Sequence, residues 1–335
     1  MTVFITGGSG FIGQNFINQF SQTSNEIIVN IDKLTYYKNK LKPYKKRKYH
    51  FYNYDICDYK KIKSLFDFYL PHTIINFAAE THVDNSIKNS KNFIKSNVVG
   101  VHNLLNLSLI QMEKKSNFLF FQISTDEVFG SLPIKSSKKF TETSPYLPNN
   151  PYSASKASAE LLVRSYNKTY GLNTIITNCS NNYGPYQHSE KLLPKTINCI
   201  LNNKKIPIYG NGSNKREWLH VDDHNNALIS ILKNRKLNFD KICIGSKNLY
   251  SNLFIVNKLC QIADKKLKRK KGSSAKLIKF VKDRPGHDLR YSINANYLRK
   301  NYDWKEKLNI NRGLEQTFIW YKNNKSWLKS LINKY

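Results

Sequence analysis

Five side chains in two short stretches have the types and spacing for acid–base chemistry on a carbon skeleton. Tyr152 and Lys156 stand four residues apart at the start of a predicted helix and therefore share one face. A lysine ammonium beside a phenol favours the phenolate. Tyr152 could then remove a hydroxyl proton while a hydride leaves the same carbon. Thr125, within Ser124-Thr125-Asp126-Glu127-Val128-Phe129-Gly130, could hydrogen-bond that same hydroxyl. Asp126 and Glu127 are adjacent carboxyls. If both line one pocket, repulsion and desolvation should hold one protonated and leave the other ionised, a general acid beside a general base. Simple dehydrogenation needs neither, so the pair points to an elimination.

Such residues need a frame to hold them. Apolar runs of strand length at Val3–Thr6, Ile27–Ile31, Tyr49–Tyr54, Thr73–Phe77, Phe118–Ile123 and Thr174–Thr177 alternate with helical patterns. The helical spacings fall at Phe11–Phe20, Tyr59–Phe68, Phe93–Leu109 and Ala154–Tyr170. This alternation predicts an α/β fold, a Rossmann-type doubly wound parallel sheet, with ligands bound beyond the carboxyl ends of its strands. The second half is less regular, with Pro, Gly and Asn clusters at 181–185, 207–212 and 284–287, and reads as a smaller C-terminal substrate-binding domain.

Gly7-Gly8-Ser9-Gly10-Phe11-Ile12-Gly13 follows the first predicted strand and opens the first helix. Glycines at 7, 10 and 13 permit a tight turn, close approach of backbone to a pyrophosphate, and close helix–strand packing, while the helix N-terminus offers free N–H groups. Asp32 ends the second strand 19 residues after Gly13, where an acid binds a ribose 2′-hydroxyl and repels a 2′-phosphate. The cofactor expected is NAD.

The chain has 335 residues, 40% of them hydrophobic, which excludes whole-chain disorder. No apolar run approaches the ~18 residues of a membrane span, and the amino terminus lacks a basic leader, so no membrane association and a cytoplasmic location are expected. Five scattered cysteines without a Cys-x-x-Cys pair argue against a disulfide framework and a zinc site. His220 and His224 have the spacing of a metal pair but lack a third ligand, so no metal is expected. The net charge of +31 is concentrated in Lys42–Lys48 and Lys265–Lys271 yet spread along the whole chain. No nucleic-acid-binding pattern accompanies it, so it reads as a solvated surface with no specific nucleic-acid partner.

With these motifs in place, the sequence resembles the extended short-chain dehydrogenase/reductases and, within them, the nucleotide-sugar 4,6-dehydratases. The resemblance runs through TGGSGFIG at 6–13, IDKLTYY at 31–37, FAAETHVDNSI at 77–87, STDEVFG at 124–130, NPYSASKASAE at 150–160, CSNNYGPYQHSEKLLP at 179–194, REWLHVDDH at 216–224 and RPGHDLRY at 284–291. Phe129, where the family usually has tyrosine, is a departure outside the acid–base set. The resemblance implies oxidation at C4 of a nucleotide-linked glucose, loss of water across C5–C6, and reduction at C6, with Asp126 as acid and Glu127 as base. A 4-epimerase has no use for this pair, and a uronate decarboxylase usually carries serine in place of Asp126.

The resemblance also distributes binding roles. Phe11, Ile12, Asp32, Lys33, Leu34, Thr35, Asp55 and Ile56 would line NAD. Ala78, Ala79, Glu80, Thr81, His82 and Asn97 would complete that site, with Tyr152, Lys156 and Asn182 near the nicotinamide. His82, Thr125, Asn181, Lys191, Leu192, Pro207, Ile208, Tyr209 and Arg216 would hold the nucleotide sugar, together with Asn252, Asp283, Arg284, His287 and Asp288. Lys191, Arg216, Arg284 and His287 could neutralise its diphosphate. The implied substrate is dTDP-glucose, with UDP-glucose left open. The implied domains are residues 1–178 for NAD, joined by 213–240, and residues 179–212 with 241–335 for the nucleotide sugar. A homodimer is expected through the helices at Phe93–Leu109 and Ala154–Tyr170.

Overall fold

In a computed structural model, which describes residues 1–35, 48–234, 240–283 and 285–332, the apolar runs pair as one all-parallel sheet. Its strands are β1 (Thr2–Thr6), β2 (Ile27–Ile31), β3 (Tyr49–Tyr52), β4 (Thr73–Asn76), β5 (Leu119–Thr125), β6 (Thr174–Cys179) and β10 (Asp240–Ile244). Their spatial order is β10-β6-β5-β4-β1-β2-β3. The chain runs outward from β1 to β3 and then returns to place β4 on the other side of β1, so the order reverses between β1 and β4. At such a switch point the crevice beyond the carboxyl ends is open to a ligand.

Helices cover both faces, which is why β1, β5 and β6 are buried at every position instead of alternating. On one face, Phe16 and Ile17 of α1 (Phe11–Thr23) and Leu228 and Ile231 of the helix Val221–Lys233 pack on Val3, Ile5, Ile75 and Phe121. On the other, α2 (Tyr59–Tyr69), the helix Gly100–Lys114 and the helix Pro151–Tyr170 bring Ile62, Leu65, Leu104, Leu105 and Val163 onto Phe4, Ile74, Phe120 and Ile176.

The expected helix at Phe93–Leu109 consists of three pieces: Lys91–Ile94, a π-helical turn at Lys95–Val99, and Gly100–Lys114. The wide turn carries Ser96 and Asn97 to the nucleotide side, a placement that apolar periodicity does not register. Helix Pro151–Tyr170 begins three residues earlier than expected, because Asn150 caps it by accepting the Ser153 N–H at 2.9 Å and Pro151 suits its first turn. The short helix Val83–Lys88 lies where no helix was expected.

The less regular half builds β7 (Asn181–Tyr183), β9 (Lys215–His220) and β11 (Leu249–Ser251) into a small sheet, and pairs β8 (Ile206–Tyr209) with β12 (Ile278–Val281). A separate core of Leu193, Ile197, Trp218, Leu259, Leu314 and Phe318 supports them. The expected boundary between 240 and 241 cuts through β10, whose residues sit in the main sheet beside β6. Leu298, Tyr302 and Trp304 also pack into the core of the first half, so the chain returns to that half again after 241.

Candidate active site

A cleft of about 310 Å³ opens at the carboxyl ends of β1, β4 and β5, at the switch point. At one end lies the glycine turn. Gly7 has φ +66, and a Cβ there would stand 2.5 Å from the Ala78 nitrogen; one at Gly13 would stand 2.6 Å from the Gly7 carbonyl oxygen. The backbone therefore approaches as only glycine allows. Gly10 precedes α1 with no side chain capping the helix, and Phe11 and Ile12 begin it at the cleft wall, leaving N–H groups for an anion. Asp32 is fixed by N–H groups of Ser9 at 3.0 Å and Leu34 at 2.7 Å, and burial pushes its carboxyl upward. Lys33 reaches Ser96 at 3.0 Å, Glu80 at 3.5 Å and Asp55 at 3.8 Å, which turns its ammonium toward these groups. Thr35, Asp55, Ile56, Ala78 and Ala79 also line the cleft; Leu34 contributes its backbone and does not line it.

Asn97 stands behind that wall. It accepts the Glu80 N–H at 2.8 Å and donates to the Glu80 carbonyl at 3.0 Å and to Ser155 at 2.8 Å, so it shapes the cleft through residues 78–82 without lining it. His82 accepts the Asn85 N–H through Nδ1 at 3.2 Å. That leaves the proton on Nε2, which meets Glu190 at 2.8 Å. Lys191 donates to the Thr81 carbonyl at 3.1 Å. These contacts pin the wall between the two halves of the chain. The glycine cradle, uncapped helix start and Asp32 carboxylate together fit a dinucleotide, and the buried Asn181 and Asn182 side-chain oxygens have no hydrogen-bond partner among the described residues.

At the far end stand the expected acid–base residues Thr125, Asp126, Glu127, Tyr152 and Lys156. Thr125 closes β5 and Asp126–Phe129 form a single 3₁₀ turn, with the Thr125 hydroxyl accepting the Glu127 N–H at 3.2 Å. Asp126 is 1% exposed and Glu127 is half-buried, so the adjacent carboxyls occupy unlike surroundings. Burial, then the charges of Glu127 and Glu217, raise the Asp126 carboxyl well above the usual carboxylate range. That surrounding favours the protonated form of Asp126. Its Oδ2 atom has no hydrogen-bond partner among the described residues.

The Tyr152–Lys156 couple behaves differently from the expectation that the ammonium lowers the phenol. Burial, then Glu127 and Cys179, push the Tyr152 phenol well upward, while the Thr125 hydrogen bond acts the other way. Lys156 is buried, donates to the Ile123 carbonyl at 2.7 Å, and is pulled down to about 8 by burial. In the protein alone, desolvation and carboxylates outweigh the single cation.

The expected sugar-nucleotide residues fall into two groups. His82, Thr125, Asn181 and Lys191 line the cleft. Leu192 begins the next helix and lies outside it. Arg216 is buried beyond the acids, donating to the Asp288 carbonyl at 2.8 Å with its guanidinium 4.4 Å from the Tyr291 ring centroid. Nearby, Tyr209 faces His287 across 6.4 Å, and His287 meets Asp283 at 2.6 Å. Pro207 and Ile208 form the β8 pairing with β12, while Asn252 starts a helix and donates its N–H to the Asn214 carbonyl at 3.0 Å. Asp288 accepts from Asn149 at 2.7 Å. Arg284 lies outside the described residues. The charge of Arg216 reaches Asp126 and that of Glu127 reaches Tyr291, so the second group adjoins the acids.

Sequence reasoning omitted Tyr54, Ser96, Ser180, Gln187, His188 and Glu190, which also line the cleft. Four of these lie in the quoted run at 179–194, whose position after β6 was the available signal. Among the described residues, no three His, Cys, Asp or Glu side chains cluster as a metal site. His224 is fully buried, and that desolvation drives its imidazole down to about 3.

Comparison with known proteins follows the same lines. The family model described as GDP-mannose 4,6 dehydratase matches residues 4–317. The dTDP-glucose 4,6-dehydratase of Salmonella typhimurium is 42% identical over 346 residues, covering 99% of this chain and 95% of that protein. The crystal structure of dTDP-glucose 4,6-dehydratase from Bacillus anthracis in complex with NAD has TM-score 0.85 and 38% identity, covering 99% of each chain. That of the Streptomyces venezuelae dTDP-glucose 4,6-dehydratase, also with NAD bound, has TM-score 0.88 and 34% identity, covering 99% of this chain and 100% of that one. The chain belongs to the dTDP-glucose 4,6-dehydratase family.

Proposed function

We propose that the protein dehydrates dTDP-glucose to dTDP-4-keto-6-deoxyglucose with NAD retained between turnovers. The observation that carries this is the buried Asp126, its carboxyl raised by that burial, beside Glu127 in the cleft that also holds Tyr152 and the glycine cradle. A hexose C5 proton is not acidic, so water loss across C5–C6 needs a ketone at C4. Gly7, Gly10, Gly13 and Asp32 would hold NAD, which would supply the hydride acceptor for C4 and the hydride source for C6. Thr125 orients the C4 hydroxyl and Tyr152 removes its proton, with Lys156 as the neighbouring cation. Glu127 then removes the C5 proton, now α to a carbonyl, and Asp126 protonates the departing C6 hydroxyl. A proton returned to C5 completes the product.

The second cluster, around Arg216, Tyr209 and His287, suits the diphosphate and base. The exposed apolar residues Ile94, Val99, Ile110 and Leu161 on the helices at 91–114 and 151–170 support a homodimer joined across them. The product suits deoxysugar synthesis, that of rhamnose included. A cytoplasmic site agrees with five free thiols, four of them buried; among the described residues no helix is long and apolar enough to cross a membrane.

The test is purified protein, without added cofactor, incubated with dTDP-glucose and UDP-glucose in parallel and followed by mass. Loss of one water from dTDP-glucose alone establishes reaction, nucleotide and retained NAD together. Equal loss from both would contradict the nucleotide preference. No loss from either, even with NAD added, would overturn the reaction.

A further inference from the structure

Glu160 sits one helical turn beyond Lys156 and is fully buried, an arrangement that is costly unless its charge is met. It is met from four directions. Ser124 of β5 donates to Oε1 at 2.5 Å, and Asn178 of β6 donates to the same oxygen at 2.7 Å. Tyr146 donates to Oε2 at 2.8 Å, and the Lys241 ammonium of β10 lies 3.5 Å from that oxygen. Lys241 is itself placed between two rings, 4.6 Å from the Phe129 centroid and 4.2 Å from that of Tyr146.

This network ends on the acid–base residues. Ser124 immediately precedes Thr125, and Asn178 also donates to the Thr125 carbonyl at 3.0 Å. We propose that Glu160 is a positioning residue of the active site: its carboxylate fixes the strand end carrying Thr125, Asp126 and Glu127, and places a negative charge one turn from the Lys156 ammonium. The first three bonds secure geometry. The charge opposes the burial that pulls Lys156 down to about 8.

Other charged and titratable groups around this pair are few. Cys179 of β6 faces Lys156, and Tyr152 precedes it by one helical turn. Lys241, Cys243 and Tyr146 face Glu160, with Arg164 further along the same helix. Removing Glu160's charge and removing Lys241's charge must therefore act on Lys156 with opposite signs.

The inference rests on Tyr152 and Lys156 serving the oxidation step, and its test separates the two. Lysine labelled with ¹³C at Cε reports the Lys156 titration in the full-length protein, its resonance identified through Lys156→Met. Relative to the native protein, Glu160→Gln is expected to lower that midpoint by about one pH unit, and Lys241→Met to raise it. The alkaline limb of the dehydration pH profile should move in the same two directions. General disturbance of the fold would not give opposite shifts. If Glu160→Gln does not fold, Glu160→Gln/Lys241→Met removes both charges, and its Lys156 midpoint must still lie below that of Lys241→Met. An unmoved midpoint, or shifts of one sign in both single variants, overturns the role of Glu160 while leaving the function intact. Absence of dehydration by the native enzyme overturns the function instead.

Discussion

Asp126 and Glu127 are consecutive in one 3₁₀ turn, yet the first is almost wholly buried and the second is half-buried. That difference supports the proposed roles, Asp126 as acid and Glu127 as base, without any difference in carboxyl chemistry. The reaction depends on it, because proton removal at C5 and proton delivery at C6 must coexist at one pH.

Replacing Asp126 should strengthen the fold while abolishing the chemistry. Its folded-state pKa is raised, so between the unfolded and folded values the unfolded chain binds fewer protons, and stability falls as pH rises through that window. Asp126→Asn removes this burden. The gain in Tm should be larger at pH 7 than at pH 5. Dehydration should fall about 10²–10⁴-fold. Thermal unfolding at the two pH values checks the sign, and equal differences would contradict it.

Tyr152→Phe and Glu127→Gln should stop the reaction at different points. Tyr152→Phe blocks oxidation, so substrate addition leaves the bound nicotinamide oxidised. Glu127→Gln retains NAD and permits oxidation but loses about 10²–10⁴-fold in water loss. Absorbance of reduced nicotinamide after one addition of substrate distinguishes them, and normal turnover by Glu127→Gln would sink its assignment as base.

Gly13→Ala introduces a Cβ 2.6 Å from the Gly7 carbonyl oxygen and 2.8 Å from the Gly8 Cα, both backbone atoms that cannot turn aside. A loss of about 1–3 kcal/mol in stability is expected, with loss of co-purifying NAD. Denaturant unfolding and cofactor content after purification measure both.

How far these features were visible in the sequence depended on whether local pattern or tertiary contact decides them. Strands β1, β4, β5 and β6 were legible because each is a short apolar run buried on both faces. The Gly7–Gly13 turn and Asp32 were legible because fixed spacing is itself the mechanism. Ser96 and the placement of Asn97 were hidden by a π-helical turn inside an otherwise regular apolar pattern. The direction of the Tyr152 shift was missed because spacing reveals Lys156 but not burial or the approach of Glu127. β10 was not foreseen as a strand because one short segment rejoins the main sheet after an irregular excursion.

Leu161, 51% exposed, offers a test of the proposed homodimer. Leu161→Lys should yield a monomer in light scattering after gel filtration, with the fold preserved. A dimer of unchanged mass would place the interface elsewhere.

The most direct test of the central claim is turnover of dTDP-glucose carrying deuterium at C4. Oxidation, elimination and reduction within one retained complex require that deuterium to appear at C6 of a product lacking one water. Water loss with the label washed into solvent, or product still labelled at C4, would contradict the account.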